Sequence, residues 1–290
     1  MRSSESLFFD IRSLRYHVRH WRGDSAHRMV LLHGWMDVSA SFQFLVDALT
    51  ADWDVYAPDW RGYGLTQWSG ADSYWFPDYM GDLDALLERI QPDAPVNLVG
   101  HSLGGNVAGL YSGVRPARVA KFVNLEGFGM PATKPEQAAR RYARWMDELR
   151  VAPKLRPYPD YAALADRMQR NNARLTRERA EFLARHWGSE SADGVVLRSD
   201  PAHILVNATL YRLDEALACW KQVTAPVLWV DGAESETLKR IGLSAEEHAA
   251  RRGAFRDLRH VTVPDAGHML HHDQPEPVAR LIEEFLLRGA

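Results

Sequence analysis

The amino-acid sequence predicts an α/β fold in which a mainly parallel sheet is covered by helices on both faces. Three observations lead to this prediction. Short apolar runs alternate along the chain with longer segments of helical periodicity, some runs such as Met29–Leu32 are apolar throughout, and one long helical segment interrupts the alternation. Strands that alternate with helices are typical of parallel sheets with both faces buried.

The strands predicted in the first part of the chain are Ser6–Asp10, Leu14–Trp21, Met29–Leu32, Val55–Ala57 and Val96–Gly100. We expect the first two to pair as a hairpin. Helices are predicted at Ser41–Leu49 and Asp78–Ile90. In the second of these helices, apolar residues recur with the i, i+3, i+4 spacing that gives a helix one apolar face.

The later part of the chain continues the same alternation around a long insertion. Strands are predicted at Phe122–Leu125, Val227–Val230 and His260–Val263, and a last helix, opened by prolines, at Glu276–Leu287. From Gly127 to Lys221 we expect no strand. The helices predicted in this insertion are Ala138–Leu149, Tyr161–Gln169, Arg177–His186 and Leu205–Ala218.

The insertion predicts how the chain is divided. Residues 1–126 and 222–290 are expected to form the α/β core, and residues 127–221 a helical cap over the carboxyl edge of the sheet. Residues 131–190 contain 13 basic and 8 acidic side chains, an excess of 13 − 8 = +5. We interpret this excess as arginine-rich helix faces in contact with solvent, in preference to a lid that attracts anions.

The charge balance and the single cysteine narrow the classes of function. Lys and Arg number 35 and Asp and Glu number 38, so the formal net charge is −3. Such a balance gives no electrostatic basis for binding nucleic acid or an anionic membrane. The lone Cys219 cannot form an intrachain disulfide framework. Neither a signal peptide nor a membrane span is expected, and we predict a soluble, cytoplasmic protein that acts on a small molecule.

Cofactor motifs are not found in the sequence. It contains no G-x-G-x-x-G motif, no P-loop and no metal-ligand spacing, so we expect neither a cofactor nor a metal. The sequence makes no prediction of the oligomeric state.

The most informative motif is Gly100-His101-Ser102-Leu103-Gly104, which lies between a predicted strand and a predicted helix start. A serine on such a tight turn needs small residues two positions away on either side, because side chains there would collide with neighbouring backbone. The hydroxyl of Ser102 is then exposed as a candidate nucleophile. The backbone N–H of Leu103, at the helix N-terminus, points toward a developing oxyanion.

Two further motifs supply what a serine nucleophile requires. After the third strand, His33-Gly34-Trp35 leaves the backbone N–H of Trp35 as a second candidate oxyanion donor. After the last strand, His268 follows a glycine and is the candidate base that takes the serine proton. His271 and His272 lie close by, but we expect them at the surface or capping the last helix.

The sequence resembles the α/β-hydrolase fold superfamily over essentially its whole length, and within it the capped branch that includes epoxide hydrolases and haloalkane dehalogenases. The motifs that carry the resemblance are His33-Gly34-Trp35, Asp59-Trp60-Arg61-Gly62-Tyr63-Gly64, the serine motif, Gly267-His268 and Asp273-Gln274-Pro275-Glu276. The resemblance implies an eight-stranded sheet with an antiparallel second strand and a helical cap after strand six. It also implies Ser102 as nucleophile, His268 as base, and the amides of Trp35 and Leu103 as the oxyanion hole.

The serine at position 102 separates this chain from the best-known members of that branch. Haloalkane dehalogenases and epoxide hydrolases of this fold have an aspartate there, because they displace at saturated carbon. A serine alkoxide suits attack at a carbonyl carbon instead.

The acid of the triad departs from the family pattern. The usual position, three residues after Gly232, is occupied by Ser235, which cannot carry a charge. Either Glu234 or Glu236 could serve if that loop shifts by one residue. Alternatively Glu126, at the end of strand six, could serve, as some dehalogenase-like members place their glutamate there. We favour Glu126, with Glu234 as the alternative.

The residues together predict a cofactor-free serine hydrolase that cleaves a carboxylic ester through an acyl-enzyme on Ser102, with His268 as base. Two alternatives of the same fold share this chemistry, namely a lactonase and a hydrolase of carbon–carbon bonds. A third alternative is a ligand-binding relative without catalysis, which the missing acid at Ser235 favours.

Overall fold

The computed structural model describes residues 1–288 and contains one eight-stranded sheet. Its strands are β1 Glu5–Ile11, β2 Leu14–Trp21, β3 Arg28–Leu32, β4 Asp54–Pro58, β5 Val96–His101, β6 Val119–Leu125, β9 Val227–Gly232 and β10 Leu258–Val263. They lie side by side in the order β1-β2-β4-β3-β5-β6-β9-β10. Strand β2 is antiparallel to β1 and β4, and the other pairs are parallel, which confirms the predicted sheet.

Helices cover both faces of the sheet. The helices are α1 Gln43–Ala48, α2 Phe76–Ile90, α3 Leu103–Val114, α4 Ala138–Leu149, α5 Tyr161–Asn171, α6 Arg177–Trp187, α7 Leu213–Trp220, α8 Thr237–Arg240, α9 Ala245–Arg252, α10 Leu270–Asp273 and α11 Pro275–Leu287. Two apolar clusters fill the core. One contains residues of α2 and α3, such as Leu86 and Val107, and the other contains residues of α1 and α11, such as Leu45 and Ile282.

The register of the central strands brings their carboxyl ends to one edge of the sheet. His101, the last residue of β5, pairs with Leu125 of β6, and Leu125 in turn pairs with Val230 of β9. The residues that follow these strands, including Ser102 and Glu126, therefore emerge side by side. This edge is where parallel α/β sheets place their binding sites.

The segment between β6 and β9 is mainly helical, as predicted, but the expectation of no strand in it is wrong. Gly188–Ser191 and Gly194–Leu197 form an antiparallel hairpin, β7 and β8. Each strand has only four residues, and the residues of β7 are glycine and polar residues. No alternation of apolar residues therefore marks these strands in the sequence. Gly194, at φ 118°, makes the turn possible.

The last helix predicted in this segment is also misplaced. Instead of Leu205–Ala218, the helix α7 spans Leu213–Trp220. The preceding residues are irregular because Asn207 donates to the carbonyl of Tyr74 and accepts from the backbone N–H of Thr209. Such side-chain bonds to the backbone compete with the helix. Helix α7 packs on α3, where Gly109 lies against Trp220.

Helices α5 and α6, in the segment between β6 and β9, have their own apolar cluster, which includes Leu164 and Leu183 together with Phe44 of α1. The division into a core of 1–126 and 222–290 and a cap of 127–221 stays a prediction. Among residues 1–288, no helix is long and apolar enough to cross a membrane.

Candidate active site

Ser102 lies on the sharp turn between β5 and α3. Its backbone has φ 50° and ψ −113°, a strained conformation for a residue with a side chain. The flanking glycines allow this turn. A Cβ on Gly100 would lie 2.5 Å from the Gly104 carbonyl oxygen, and one on Gly104 would lie 2.0 Å from that of Leu32. Only residues without a Cβ therefore fit at positions 100 and 104 of this turn, as the sequence predicts.

His268 lies on the loop after β10 and faces Ser102. Its Nε2 is 3.0 Å from the Ser102 Oγ. The loop is fixed from behind, because the Nε2–H of His101 donates to the backbone carbonyl of His268 at 2.8 Å. His101, which precedes Ser102, thus anchors the loop that carries His268.

Glu126 is the carboxylate that reaches the imidazole. Its Oε2 lies 2.8 Å from Nδ1 of His268, and the residue is only 1% exposed. Oε2 also accepts from the Ser235 hydroxyl at 2.5 Å, and Oε1 accepts from the Gly232 N–H at 2.7 Å. The backbone of Glu126 has φ 57°, which turns the side chain toward the loop after β9. Because a carboxylate only accepts, Nδ1 carries the hydrogen and Nε2 accepts from the serine.

Glu234 lies elsewhere. Its side chain is about half exposed and pairs with Arg174 of the cap. Neither Glu234 nor Glu236, whose carboxylate pairs with Lys239, contacts His268. The structure therefore brings Glu126 to Ser102 and His268 and leaves the two alternative acids outside this group.

The two predicted oxyanion donors flank the serine. Leu103 is the first residue of α3, where backbone N–H groups have no partner within the helix. The Gly34–Trp35 loop lies against the turn, since a Cβ on Gly34 would be 3.3 Å from Cβ of Ser102. The ring of Trp35 is 56% exposed and lines the cavity in front of the serine.

Burial determines the charge states of the acid and the imidazole. Burial, and to a smaller extent the charge of Arg240, lower the pKa of His268 to about 4, so the ring is neutral at pH 7. Burial also raises the pKa of Glu126 to about 7, although its bonds from Ser235 and Gly232 stabilise the charged form. A neutral imidazole beside a carboxylate is the resting state that a general base needs.

A cavity of about 590 Å³ opens directly in front of Ser102 and His268. Aromatic and aliphatic side chains form most of its wall, for example Trp75, Phe128 and Tyr211. Part of the wall comes from the segment predicted as the cap, including Met130 and Arg141. The cavity is of the size and composition that small-molecule sites have.

A second polar group behind the serine was not predicted. Asp37, His101 and His271 are each at most 2% exposed, and their donor atoms lie within 4.8 Å of one another. Two imidazoles and a carboxylate are a set that divalent transition metals accept. The three residues lie after β3, at the end of β5 and after β10, so no local spacing marks them. The expectation that His271 and His272 lie at the surface or cap a helix is wrong. Both are buried in the short helix α10, where His271 packs against Phe42 and His272 against Phe44.

The sheet order and the turn that carries Ser102 define an α/β hydrolase. A family model described as the alpha/beta hydrolase fold matches residues 27–275, so the chain belongs to that family. A serine hydrolase-like protein of Danio rerio is 28% identical over 275 residues, which cover 92% of this chain and 83% of the relative.

Two further similarities extend the comparison. The chain is 27% identical to 2-(acetamidomethylene)succinate hydrolase of Mesorhizobium japonicum, over 89% of this chain and 87% of that protein. The solved thioesterase domain from the curacin biosynthetic pathway superposes with a TM-score of 0.86 at 22% identity, over 97% and 99% of the two chains. The family match and the serine hydrolase-like relatives support hydrolase activity.

Proposed function

We propose that the protein hydrolyses carboxylic esters through an acyl-enzyme on Ser102. The observation that carries this proposal is the continuous pair of hydrogen bonds, 3.0 Å from Ser102 Oγ to His268 Nε2 and 2.8 Å from His268 Nδ1 to Glu126 Oε2. A hydroxyl becomes an effective nucleophile when an imidazole takes its proton and a carboxylate stabilises the imidazolium.

The first half of the reaction forms the acyl-enzyme. The Ser102 oxygen attacks the ester carbonyl carbon while its proton moves to His268 Nε2. The carbonyl oxygen becomes an oxyanion and accepts from the backbone N–H groups of Trp35 and Leu103. When the tetrahedral intermediate collapses, the bond to the alcohol breaks, and the alcohol oxygen takes the proton from His268.

The second half releases the acid. Water attacks the acyl carbon and gives a proton to His268 Nε2. When the second intermediate collapses, the bond from the acyl carbon to Ser102 Oγ breaks, and Oγ takes that proton back from His268, which releases the carboxylic acid and regenerates Ser102. Glu126 stays ionised through both halves and stabilises the imidazolium each time it forms. Its buried position supports this role, because the attraction between the two charges is weakly screened there.

The cap gives the site its selectivity in this proposal. Met130, Arg141 and Val206, all within the segment 127–221, line the same cavity as Ser102. A substrate that reaches the serine therefore contacts both core and cap. Exclusion of water by the cap strengthens the electrostatic interactions around the reacting carbonyl.

Labelling with a fluorophosphonate tests the proposal directly. We expect one equivalent of label on the intact protein, none on Ser102→Ala, and turnover of 4-nitrophenyl butyrate that is lost in the same variant. Ser191→Ala, on the exposed cap hairpin, is the matched control and should label like the intact protein. If the folded, intact protein neither labels nor hydrolyses the ester, the proposal is wrong.

A further inference from the structure

The cavity in front of Ser102 combines an apolar wall with two formal cations. Of the side chains that line it, only Arg141, Arg240 and Glu126 carry a formal charge near neutral pH, with the two histidines His203 and His268 held neutral by burial. Both oxygens of Glu126 already accept hydrogen bonds from protein groups. Glu126, the acid of the wall, is thus engaged by protein donors, and within the described residues no ion pair joins it to Arg141 or Arg240.

Arg240 is one of the two arginines of the cavity wall. It ends the short helix α8 that follows β9, and it is close enough to lower the pKa of both Glu126 and His268. Its guanidinium contacts the Thr237 hydroxyl at 3.4 Å and makes no ion pair within 4.0 Å with any acidic side chain of residues 1–288. Its donors are therefore available to a ligand in the cavity.

Arg141 reaches the cavity from the cap helix α4. Both acids of that helix have other ion-pair partners: Asp147 pairs with Arg150, and Glu148 pairs with Arg144 and accepts from the backbone N–H of Val206 at 2.6 Å, although Arg141 is among the charges that lower the pKa of Glu148. In the described part of the chain, Arg141 also lacks an ion pair within 4.0 Å. Of the arginines in residues 131–190, Arg141 is the one that lines the cavity.

We propose that the cavity binds an acyl compound carrying a free carboxylate, which Arg240 from the core and Arg141 from the cap hold while the ester carbonyl lies at Ser102. This inference rests on the proposed function for the reaction itself. Arginine is the residue best suited to a carboxylate, since its planar fork donates two parallel hydrogen bonds. The apolar wall suits the chain or ring that separates the carboxylate from the carbonyl.

A pair of matched esters tests the proposal. In the 4-nitrophenyl monoester of glutarate, a carboxylate replaces the terminal methyl of 4-nitrophenyl pentanoate, while the chain length and the leaving group are the same. We expect kcat/KM to favour the glutarate ester by about tenfold or more, the factor that a hydrogen bond to a charged group supplies. Salt at 0.5 M should reduce the preference, because it screens charges in an open cavity. A wild-type preference for the pentanoate ester would overturn the proposal.

Substitutions assign the preference to particular residues. Arg240→Gln should lower the ratio of the two kcat/KM values by about tenfold, and Arg240→Lys by less, because an ammonium keeps the charge but not the fork. Arg141→Gln should lower it further when combined with Arg240→Gln. The matched controls are Lys239→Gln, whose side chain is 84% exposed on the same helix α8, and Arg140→Gln beside Arg141. If the ratio is the same in Arg240→Gln and Arg141→Gln as in the controls, the carboxylate site does not exist.

A binding measurement separates this proposal from the proposed reaction. Glutarate is titrated calorimetrically into Ser102→Ala and into Ser102→Ala with Arg240→Gln. Saturable binding by the first and at least about tenfold weaker binding by the second would support the carboxylate site even if neither ester is hydrolysed. Equal binding, or none in either, would reject the site whatever the outcome of the labelling of Ser102.

Discussion

The loops that follow β6 and β9 each carry a glutamate near the active site, and the two residues are in opposite environments. Glu126, after β6, is 1% exposed and both of its oxygens accept hydrogen bonds. Glu234, after β9, is about half exposed and pairs with Arg174 of the cap. A carboxylate can support an imidazole only when it is held against it, and burial makes that contact strong.

The loop after β9 contributes hydrogen-bond donors to the Glu126 carboxylate. Ser235 occupies the position at which the family pattern places the acid, and its hydroxyl donates to Glu126 at 2.5 Å. The N–H of Gly232, three residues earlier, donates to the other oxygen at 2.7 Å. The loop after β9 therefore donates hydrogen bonds that stabilise the ionised Glu126 of the loop after β6. Donors of this kind offset the cost of burying a carboxylate.

The largest expected effect is that of Glu126→Gln. The amide can donate a hydrogen bond to Nδ1, which favours the wrong tautomer of His268. The amide also lacks the negative charge that stabilises the imidazolium. We expect kcat/KM on a 4-nitrophenyl ester to fall by a factor on the order of 10⁴. Circular dichroism should show an unchanged fold. A fall of less than about tenfold would mean that Glu126 is not the acid of the triad.

Moving the acid from one loop to the other is the next test. The double variant combines Glu126→Gln with Ser235→Asp. It places a carboxylate at position 235, where the family pattern has the acid and where the wild-type serine hydroxyl contacts Oε2 of Glu126, the atom bonded to His268. We expect the double variant to recover at least about tenfold of the lost kcat/KM, because a charge near the imidazolium is restored. No recovery in a folded double variant would show that the β9 loop cannot carry the acid in this chain.

The sequence predicted the parts of this site that lie within short motifs. Ser102 and His268 stand in motifs whose glycines constrain the backbone, and alternating runs predicted the sheet that supports them. For the acid, the sequence favours Glu126 but keeps Glu234 as an alternative, because the choice depends on where two loops meet in space. The φ of 57° that directs Glu126 toward His268 has no signal in the sequence.

Other features needed long-range contacts. The Asp37, His101 and His271 group joins three distant segments, and a histidine at the start of a predicted helix is typical of the surface. The hairpin of β7 and β8 shows no strand pattern in the sequence, because each strand has four residues and β7 is polar. Asn207 bonds to the backbone of two other residues and so favours an irregular conformation in the first part of the segment predicted as a helix from Leu205.

A smaller effect is expected for Ser235→Ala, and the pH profile reveals it. The proposed mechanism requires Glu126 to be ionised and His268 to be neutral. Burial raises the pKa of Glu126 to about 7 and lowers the pKa of His268 to about 4. As the pH falls, Glu126 is protonated first, so kcat/KM should fall along a limb centred near pH 7 that belongs to the pair. Removing the Ser235 donor destabilises the carboxylate, so the limb should move to higher pH by about one unit. The rate at pH 9 should then change by less than about twofold.

The control for this shift is Ser191→Ala, whose profile should match the wild type. A limb that stays in place, or moves to lower pH, in Ser235→Ala would mean that the hydroxyl does not stabilise the charged form of Glu126.

The smallest effect is expected for Glu234→Gln. The substitution breaks an exposed ion pair with Arg174, and such pairs contribute about 0–1 kcal/mol. We expect kcat/KM to stay within about twofold and the melting temperature to change by only a few degrees. Arg174→Gln should have the same small effect, and the double variant should add little, because both remove the same interaction. A loss of tenfold or more in Glu234→Gln, with Arg174→Gln unaffected, would return the role of the acid to the β9 loop.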